Sequence, residues 1–182
     1  MARSATIYRV QLELSHVDRN VYTEQQLTVA RHPSETMKRM VMRLLAFGLR
    51  YDEGLEFGRG VSATDEPDLW LREGDGRVVE WIEVGQPDAK RLIKACRKSS
   101  RCQLFVFGDR DRRWRKAQLD NMKLPENLGV AYIDDDFVDS VAAAADRQIR
   151  WSMTVAEGTI YLTSGDASFE ATPEVWAGHP LQ

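Results

Sequence analysis

The sequence lacks the residues and segments on which several classes of protein depend. Two cysteines, Cys96 and Cys102, are too few for a disulfide framework or a thiolate metal centre, so we expect two small buried thiols. The three histidines are widely separated and show no zinc-ligand spacing. No apolar run approaches the ~20 residues of a membrane helix. Met1–Ser4 lead directly into a strand pattern without the apolar core of a signal peptide. We therefore expect a cytoplasmic protein with no membrane partner.

Length and charge lead to two further expectations. The 182 residues, 43% of them hydrophobic, are enough for one domain over residues 1–182 with a sizeable core. The net charge is −3, yet eleven lysines and arginines and only two acids lie between Lys90 and Lys116. This basic block predicts a nucleic-acid-binding surface, although two solvated helix faces would account for it equally well. Its candidate nucleic-acid contacts are Arg97, Lys98, Arg101, Arg112, Arg113 and Lys116.

Hydrophobic periodicity predicts strands that alternate with helices between two hairpins. The predicted elements are strands at 6–14 and 21–29, a helix that Ser34 caps and Asp52–Gly54 end, a loop at 54–66, strands at 67–72 and 77–84, a helix at 87–98, a strand at 103–107, a helix at 110–122, a strand at 130–133, a helix at 134–148, a hairpin within 149–163, a short strand at 167–171 and an irregular tail after Pro173. Short buried strands between helices are typical of parallel crossovers. We therefore expect an α/β fold with a central mixed sheet flanked by helices.

Two acidic residues on neighbouring predicted strands form the most informative pattern. Asp68 lies within Glu66–Trp70, and Glu83 lies within Trp81–Val84. Because strand side chains alternate between faces, a hairpin closed through Glu73–Gly76 would place Asp68 and Glu83 on one face. Their Cβ atoms would then be about 5–7 Å apart. Two carboxylates so close repel each other unless a proton or a cation lies between them, and Mg²⁺ prefers oxygen ligands of this kind.

Each acid also has a structural explanation. Glu83 could form a buried ion pair with an arginine or a lysine. Asp68 could accept hydrogen bonds from backbone N–H groups at the start of its strand. Glu35, at the start of the first helix, could be stabilised by the helix dipole and by pairing with Lys38 or Arg39. The convergence of Asp68 and Glu83 nevertheless favours a shared cation site, because two acids do not neutralise each other.

Three segments of the chain resemble the bacterial YaeQ family. They are Arg31–Glu35, Glu66–Trp70 and Trp81–Glu83, which occur in the same order as in that family. The resemblance runs over nearly the whole chain. The fold of that family resembles the restriction-endonuclease-like core of the PD-(D/E)xK nuclease superfamily, so the resemblance implies this core for the present chain.

The superfamily motif corresponds here to Pro67-Asp68 followed by Glu83-Val84-Gly85. The resemblance implies a Mg²⁺ or Mn²⁺ site whose ligands are Asp68, Glu83, the Val84 carbonyl and the helix glutamate Glu35. The chain departs from the motif at Gly85, where the superfamily has a lysine that activates water. Lys90 and Lys94, which share one face of the next helix, could replace it, although both could equally be solvated.

Two hypotheses of function follow. In the first, the chain is a metal-dependent nuclease that hydrolyses phosphodiester bonds, with Asp68, Glu83, Lys90 and Lys94 as catalytic residues. In the second, it is a catalytically inactive nuclease-like module that binds nucleic acid or protein, and the glycine at position 85 motivates this alternative. A protein-interaction factor without a nucleic-acid role is a third, weaker interpretation.

Overall fold

The computed structural model describes residues 4–62 and 65–182, which form a mixed α/β fold with two mixed sheets. The α-helices are α1 (Met37–Arg50), α2 (Ala89–Lys98) and α3 (Asp135–Ala144). The strands are β1 (Thr6–His16), β2 (Val21–Arg31), β3 (Glu56–Phe57), β4 (Leu69–Arg72), β5 (Val78–Val84), β6 (Arg101–Val106), β7 (Leu128–Tyr132), β8 (Gln148–Ala156), β9 (Thr159–Ser164), β10 (Ala167–Ala171) and β11 (Glu174–Ala177). None of the helices in the described ranges has the length and apolar composition needed to cross a membrane.

The two predicted hairpins pair with each other and form a sheet of their own. Its strand order is β10-β9-β8-β1-β2, and β1 and β8 are parallel while all other neighbours are antiparallel. The mixed α/β fold with the two hairpins is confirmed, but the hairpins form a second mixed sheet that was not predicted. The cause is that β1 and β8 both alternate between apolar and polar residues, so that Leu12 and its partner Trp151 bury the same face.

The second sheet contains the predicted crossovers. Its order is β11-β7-β6-β5-β4-β3, in which β5, β6 and β7 are parallel and the outer strands are antiparallel. α2 covers one face of this sheet and packs against β5 and β6, while α1 packs against β5 on the other face; α3 packs against α1 and against β10 of the first sheet. Helices on both faces are therefore confirmed for this sheet.

α1 lies between the two sheets, and every residue from Met40 to Arg50 is buried. The helix contacts the first sheet so closely at Gly48 that a Cβ atom there would lie 2.5 Å from Met153 Sδ. Its two buried arginines have buried acidic partners. Arg43 donates from Nε and Nη2 to Glu35, both at 2.8 Å, and Arg50 Nε donates to Glu80 at 2.6 Å. These ion pairs allow a charged helix to pass through an apolar interior.

Three predicted segments differ from the structure. The helix predicted at 110–122 is reduced to a few residues around a π-helical segment, Arg115–Leu119. The helix predicted at 134–148 ends at Ala144, because the chain from Gln148 onward pairs with β1. The predicted loop contains the two-residue strand β3, and its residues 63 and 64 lie outside the described residues.

The first part of the predicted irregular tail is instead strand β11, whereas residues 178–182 contain no strand or helix. β11 pairs with β7 at the edge of the second sheet. Trp176 stacks on Tyr132 with ring centroids 5.2 Å apart, and the guanidinium of Arg112 lies 4.1 Å from the centre of the Tyr132 ring. This aromatic contact holds the strand in place. The strand itself could not be predicted, because four residues are too few to show a clear alternation of apolar and polar side chains.

Candidate active site

The hairpin of β4 and β5 brings the two predicted acids together. Leu69 pairs with Ile82 and Trp70 pairs with Trp81, which brings Asp68, the residue just before β4, close to the end of β5 that carries Glu83. The Asp68 N–H donates to the Ile82 carbonyl at 3.0 Å, which attaches Asp68 to β5. Both acids line one pocket, where Asp68 contacts Arg39 of α1 and Glu83 contacts Arg91 of α2. The arrangement of both side chains on one face of the sheet stays a prediction.

Both acids are buried and each carboxylate accepts hydrogen bonds from nitrogen donors. Asp68 Oδ1 lies 2.7 Å from Arg39 Nη2, and Asp68 Oδ2 accepts from the Val84 N–H at 2.8 Å. Glu83 Oε1 accepts from Trp81 Nε1 at 2.8 Å and lies 2.9 Å from Arg91 Nη2. The contacts to arginine partly offset the repulsion between the two acids.

Arg39 joins the first acid to a third. It lies 3.2 Å from Glu35 Oε1 while it contacts Asp68, and Arg43 binds Glu35 from the opposite side. Glu35 lies just before α1, whose cap is Thr36. The predictions that Ser34 caps this helix and that Glu35 belongs to its start are therefore wrong. The resulting carboxylate–arginine network contains three acids and three arginines: Glu35, Asp68, Glu83, Arg39, Arg43 and Arg91.

Burial perturbs the titration of the two facing acids. Desolvation raises the pKa of the Asp68 carboxyl above its ordinary value, although Arg39 and the Val84 N–H oppose the shift. Desolvation and then the charge of Asp68 raise the pKa of Glu83, against the opposing hydrogen bonds from Trp81 and Arg91. Displaced carboxyl pKa values in a pocket are typical of functional sites, and they also occur in structural ion-pair networks.

A pocket of about 330 Å³ opens onto this network. Asp68, Glu83, Arg39 and Arg91 contribute to its walls, and Gln86 lies at its exposed edge. The Gln86 side-chain amide donates to the Phe107 carbonyl at 2.9 Å. The pocket therefore places guanidinium and amide groups beside the two acids, and the charges of the arginines balance those of the acids.

The comparisons identify the family of the chain. A family model described as "YaeQ protein" matches residues 1–173. This chain belongs to the YaeQ family. It is 39% identical over 178 residues to a YaeQ protein of Escherichia coli (strain K12), covering 97% of this chain and 98% of that protein. It is 38% identical over 177 residues to a YaeQ protein of Salmonella typhi, with the same two coverages.

Two crystal structures of YaeQ proteins share the fold. The YaeQ protein from Pseudomonas syringae superposes with a TM-score of 0.92 at 39% identity, covering 97% of this chain and 98% of that one. The YaeQ protein from Xanthomonas axonopodis pv. citri superposes with a TM-score of 0.92 at 38% identity, covering 96% of this chain and 99% of that one. The two-sheet architecture described above is therefore that of solved YaeQ proteins.

The residues of this YaeQ-family site do not fit a divalent metal ion as they are arranged. Within residues 4–62 and 65–182, no three side chains of His, Cys, Asp or Glu converge in a way that could hold one. The oxygens of Asp68 and Glu83 face guanidinium groups, whose positive charge would repel a cation. The Val84 N–H is directed at Asp68, which completes the hydrogen bonding of that acid without a metal.

The two predicted catalytic lysines do not reach the pocket. Lys90 is exposed, and Lys94 lies 3.2 Å from Asp65 at the surface. The residue that does reach it is Arg91, which sequence reasoning missed. The sequence did contain an indication of its position. Arg91 lies four residues before the buried Ala95, so it borders the apolar stripe of α2.

The predicted nucleic-acid contacts fall into two groups. Arg101, Arg112 and Arg113 form ion pairs with Glu80, Glu174 and Asp111. Arg97, Lys98 and Lys116 are exposed and form no ion pair with any residue in the described ranges. Lys90 is likewise exposed and without an ion pair in those ranges. Four of these cations, Lys90, Lys94, Arg97 and Lys98, lie on the exposed side of α2 and are named the α2 basic face below.

Proposed function

We propose that this chain binds the phosphate backbone of nucleic acid across the α2 basic face, as a nuclease-like module that does not depend on a metal ion. The observation that carries the proposal is the charge of α2, whose ten residues contain five lysines and arginines and no acid. The helix is about 15 Å long. Such a length spans several phosphates, which follow one another at about 3.4 Å of axis along each strand.

The position of the α2 basic face supports this proposal. Arg91 belongs to the same helix and forms a wall of the pocket, so a backbone bound along α2 would pass the pocket opening. Lys98 lies 5.9 Å from the centre of the Trp81 ring, at the other end of the helix. The carboxylate–arginine network then serves as a charge-balanced support that fixes α2 and α1 against the sheet.

Fluorescence anisotropy with labelled single-stranded and duplex DNA and RNA, measured in EDTA, tests the proposal. Binding is expected for the wild type and for Glu83→Gln. It is expected to weaken strongly when the four cations of the α2 basic face are changed to glutamine. A matched variant loses four exposed cations elsewhere, namely Lys38, Arg72, Arg77 and Lys123. Equal losses in the two quadruple variants would show that net charge alone, and not α2, determines binding.

A metal-dependent nuclease with a variant PD-(D/E)xK site and a restriction-endonuclease-like core is the second candidate. It is favoured by the close approach of Asp68 and Glu83 at a pocket, and by their raised pKa values. A cation would first have to displace the guanidinium groups of Arg39 and Arg91. The primary proposal therefore predicts no heat of binding on calorimetric titration with millimolar Mg²⁺.

Cleavage assays separate the two candidates. DNA and RNA substrates are incubated with Mg²⁺ or Mn²⁺ and with the wild type, Asp68→Ala or Glu83→Ala. Cleavage by the wild type that both substitutions abolish, while circular dichroism shows an intact fold, would establish the nuclease candidate. Cleavage that Glu83→Ala leaves undiminished would come from another site or a contaminant, and nucleic-acid binding without cleavage supports the primary proposal.

A further inference from the structure

The outer face of the first sheet carries a second polar cavity, which shares no lining residue with the pocket described above. β1, β2 and β8 line a cavity of about 550 Å³ with side chains that point away from the core. This volume lies within the ~300–1,000 Å³ that is usual for small-molecule sites. The polar side chains that line it are Arg9, Gln11, Gln26, Thr28, Gln148 and Arg150.

Two arginines lie at the centre of this cavity. Arg9 pairs with Gln148 across the parallel strands, and Gln11 pairs with Arg150, so Arg9 and Arg150 are diagonal neighbours on one face. Such neighbours are about 7–8 Å apart and their long side chains can reach a common ligand. Neither arginine forms an ion pair with a residue in the described ranges, whereas both buried arginines of α1 do.

Acids bound the arginines at both ends of the strands. Glu13 of β1 and Glu24 of β2 are directly opposite each other, and Glu13 lines the adjoining cavity that also contains Arg150. Asp146 lines the cavity on the other side of Arg150. A long polyanion that continued along the strands would meet these carboxylates and be repelled, whereas a compact anion would contact only the arginines.

We propose that this outer-sheet cavity binds the phosphate group of a small phosphorylated molecule, of about the size of a mononucleotide. The two guanidinium groups provide paired N–H donors that match the oxygens of a phosphate. The amides of Gln26 and Gln148 can donate to and accept from the remainder of the ligand, whereas the Gln11 amide already donates to Glu24 at 2.9 Å. The site shares no residue with the α2 basic face, so it stands or falls independently of the proposed nucleic-acid binding.

Titration of the ¹⁵N-labelled protein by NMR tests the proposal with two probes, inorganic phosphate and adenosine 5′-monophosphate. Saturable shifts are expected in the amide resonances of residues 9–11, 26–28 and 148–150. The double variant Arg9→Gln/Arg150→Gln is expected to weaken binding by at least about tenfold. Arg72→Gln removes an exposed strand arginine of the other sheet and should leave binding unchanged.

Three results would overturn the proposal. The first is the absence of saturation by either probe up to about 10 mM, which would leave no meaningful affinity. The second is equal binding by the double variant while its thermal unfolding remains that of the wild type. The third is that a single-stranded oligonucleotide binds the wild type but not the double variant. This face would then be part of a polynucleotide-binding surface and not a small-ligand site.

Discussion

Acidification from pH 7 to pH 5 should destabilise the protein through His16, whose side chain is completely buried at the end of β1. Neither ring nitrogen makes a well-formed hydrogen bond within the described part of the chain, although the Leu49 carbonyl slightly favours the charged ring. Burial and, to a smaller extent, the charges of Arg19 and Arg50 lower the pKa of His16 from 6.5 to about 4, against the opposing charge of Asp18.

The sign and size of the effect follow from proton linkage. As the pH falls below 6.5 the unfolded chain binds the proton first, so stability is lost progressively until the pH passes about 4. Between pH 7 and pH 5 the loss is about 2 kcal/mol of unfolding free energy. For a domain of this size that loss corresponds to a decrease of roughly 4–8 °C in Tm.

The assay is thermal unfolding at several pH values for the wild type and for His16→Leu. The raised pKa values of Asp68 and Glu83 act with the opposite sign, but both proteins share them, so the difference between the two curves isolates His16. His179→Leu, which removes an exposed imidazole, is the control and should follow the wild type. Parallel curves for the wild type and His16→Leu between pH 7 and pH 5 would refute the reasoning.

Two further predictions concern packing and the ion pairs of the site. Gly48→Ala should lower the unfolding free energy by roughly 1–3 kcal/mol, measured by urea denaturation, because the new methyl group would overlap Met153; an unchanged midpoint would show that the helix and the sheet are less closely packed. Arg91→Met should lower the unfolding free energy by roughly 2 kcal/mol. This loss is smaller than that for breaking a fully buried ion pair, because Arg91 is partly exposed. Glu83→Gln in the Arg91→Met background should recover part of that cost, and an additive double-mutant cycle would mean that the two residues do not interact.

The approach of Asp68 to Glu83 could be predicted because it depends on local information. Strand alternation and a glycine-rich turn determine the register of β4 and β5, and both are visible over fewer than twenty residues. The arginines that neutralise the acids are different, because Arg39 comes from another part of the chain and its approach depends on tertiary packing. The rotation of α2 is likewise set by Leu92, Ala95 and Cys96, which direct Arg91 and not its lysine neighbours toward the pocket.

The division into two sheets was less visible in the sequence. Alternation shows that β1 and β8 each bury one face, but it does not show that they pair with each other across more than half of the chain. One available signal was α1, because from Met40 to Leu49 it is apolar at nearly every position. A helix that is apolar all round is buried on all sides, and here it is buried between two sheets.

The salt dependence of nucleic-acid affinity tests the central claim most directly. The slope of log affinity against log salt is measured for the wild type, the quadruple glutamine variant of the α2 basic face and the matched control variant. The account predicts a steep negative slope for the wild type that becomes shallower by about 3–4 units in the α2 variant on duplex DNA. It also predicts that the control variant keeps the wild-type slope. A wild-type slope that the α2 variant retains in full would contradict the account.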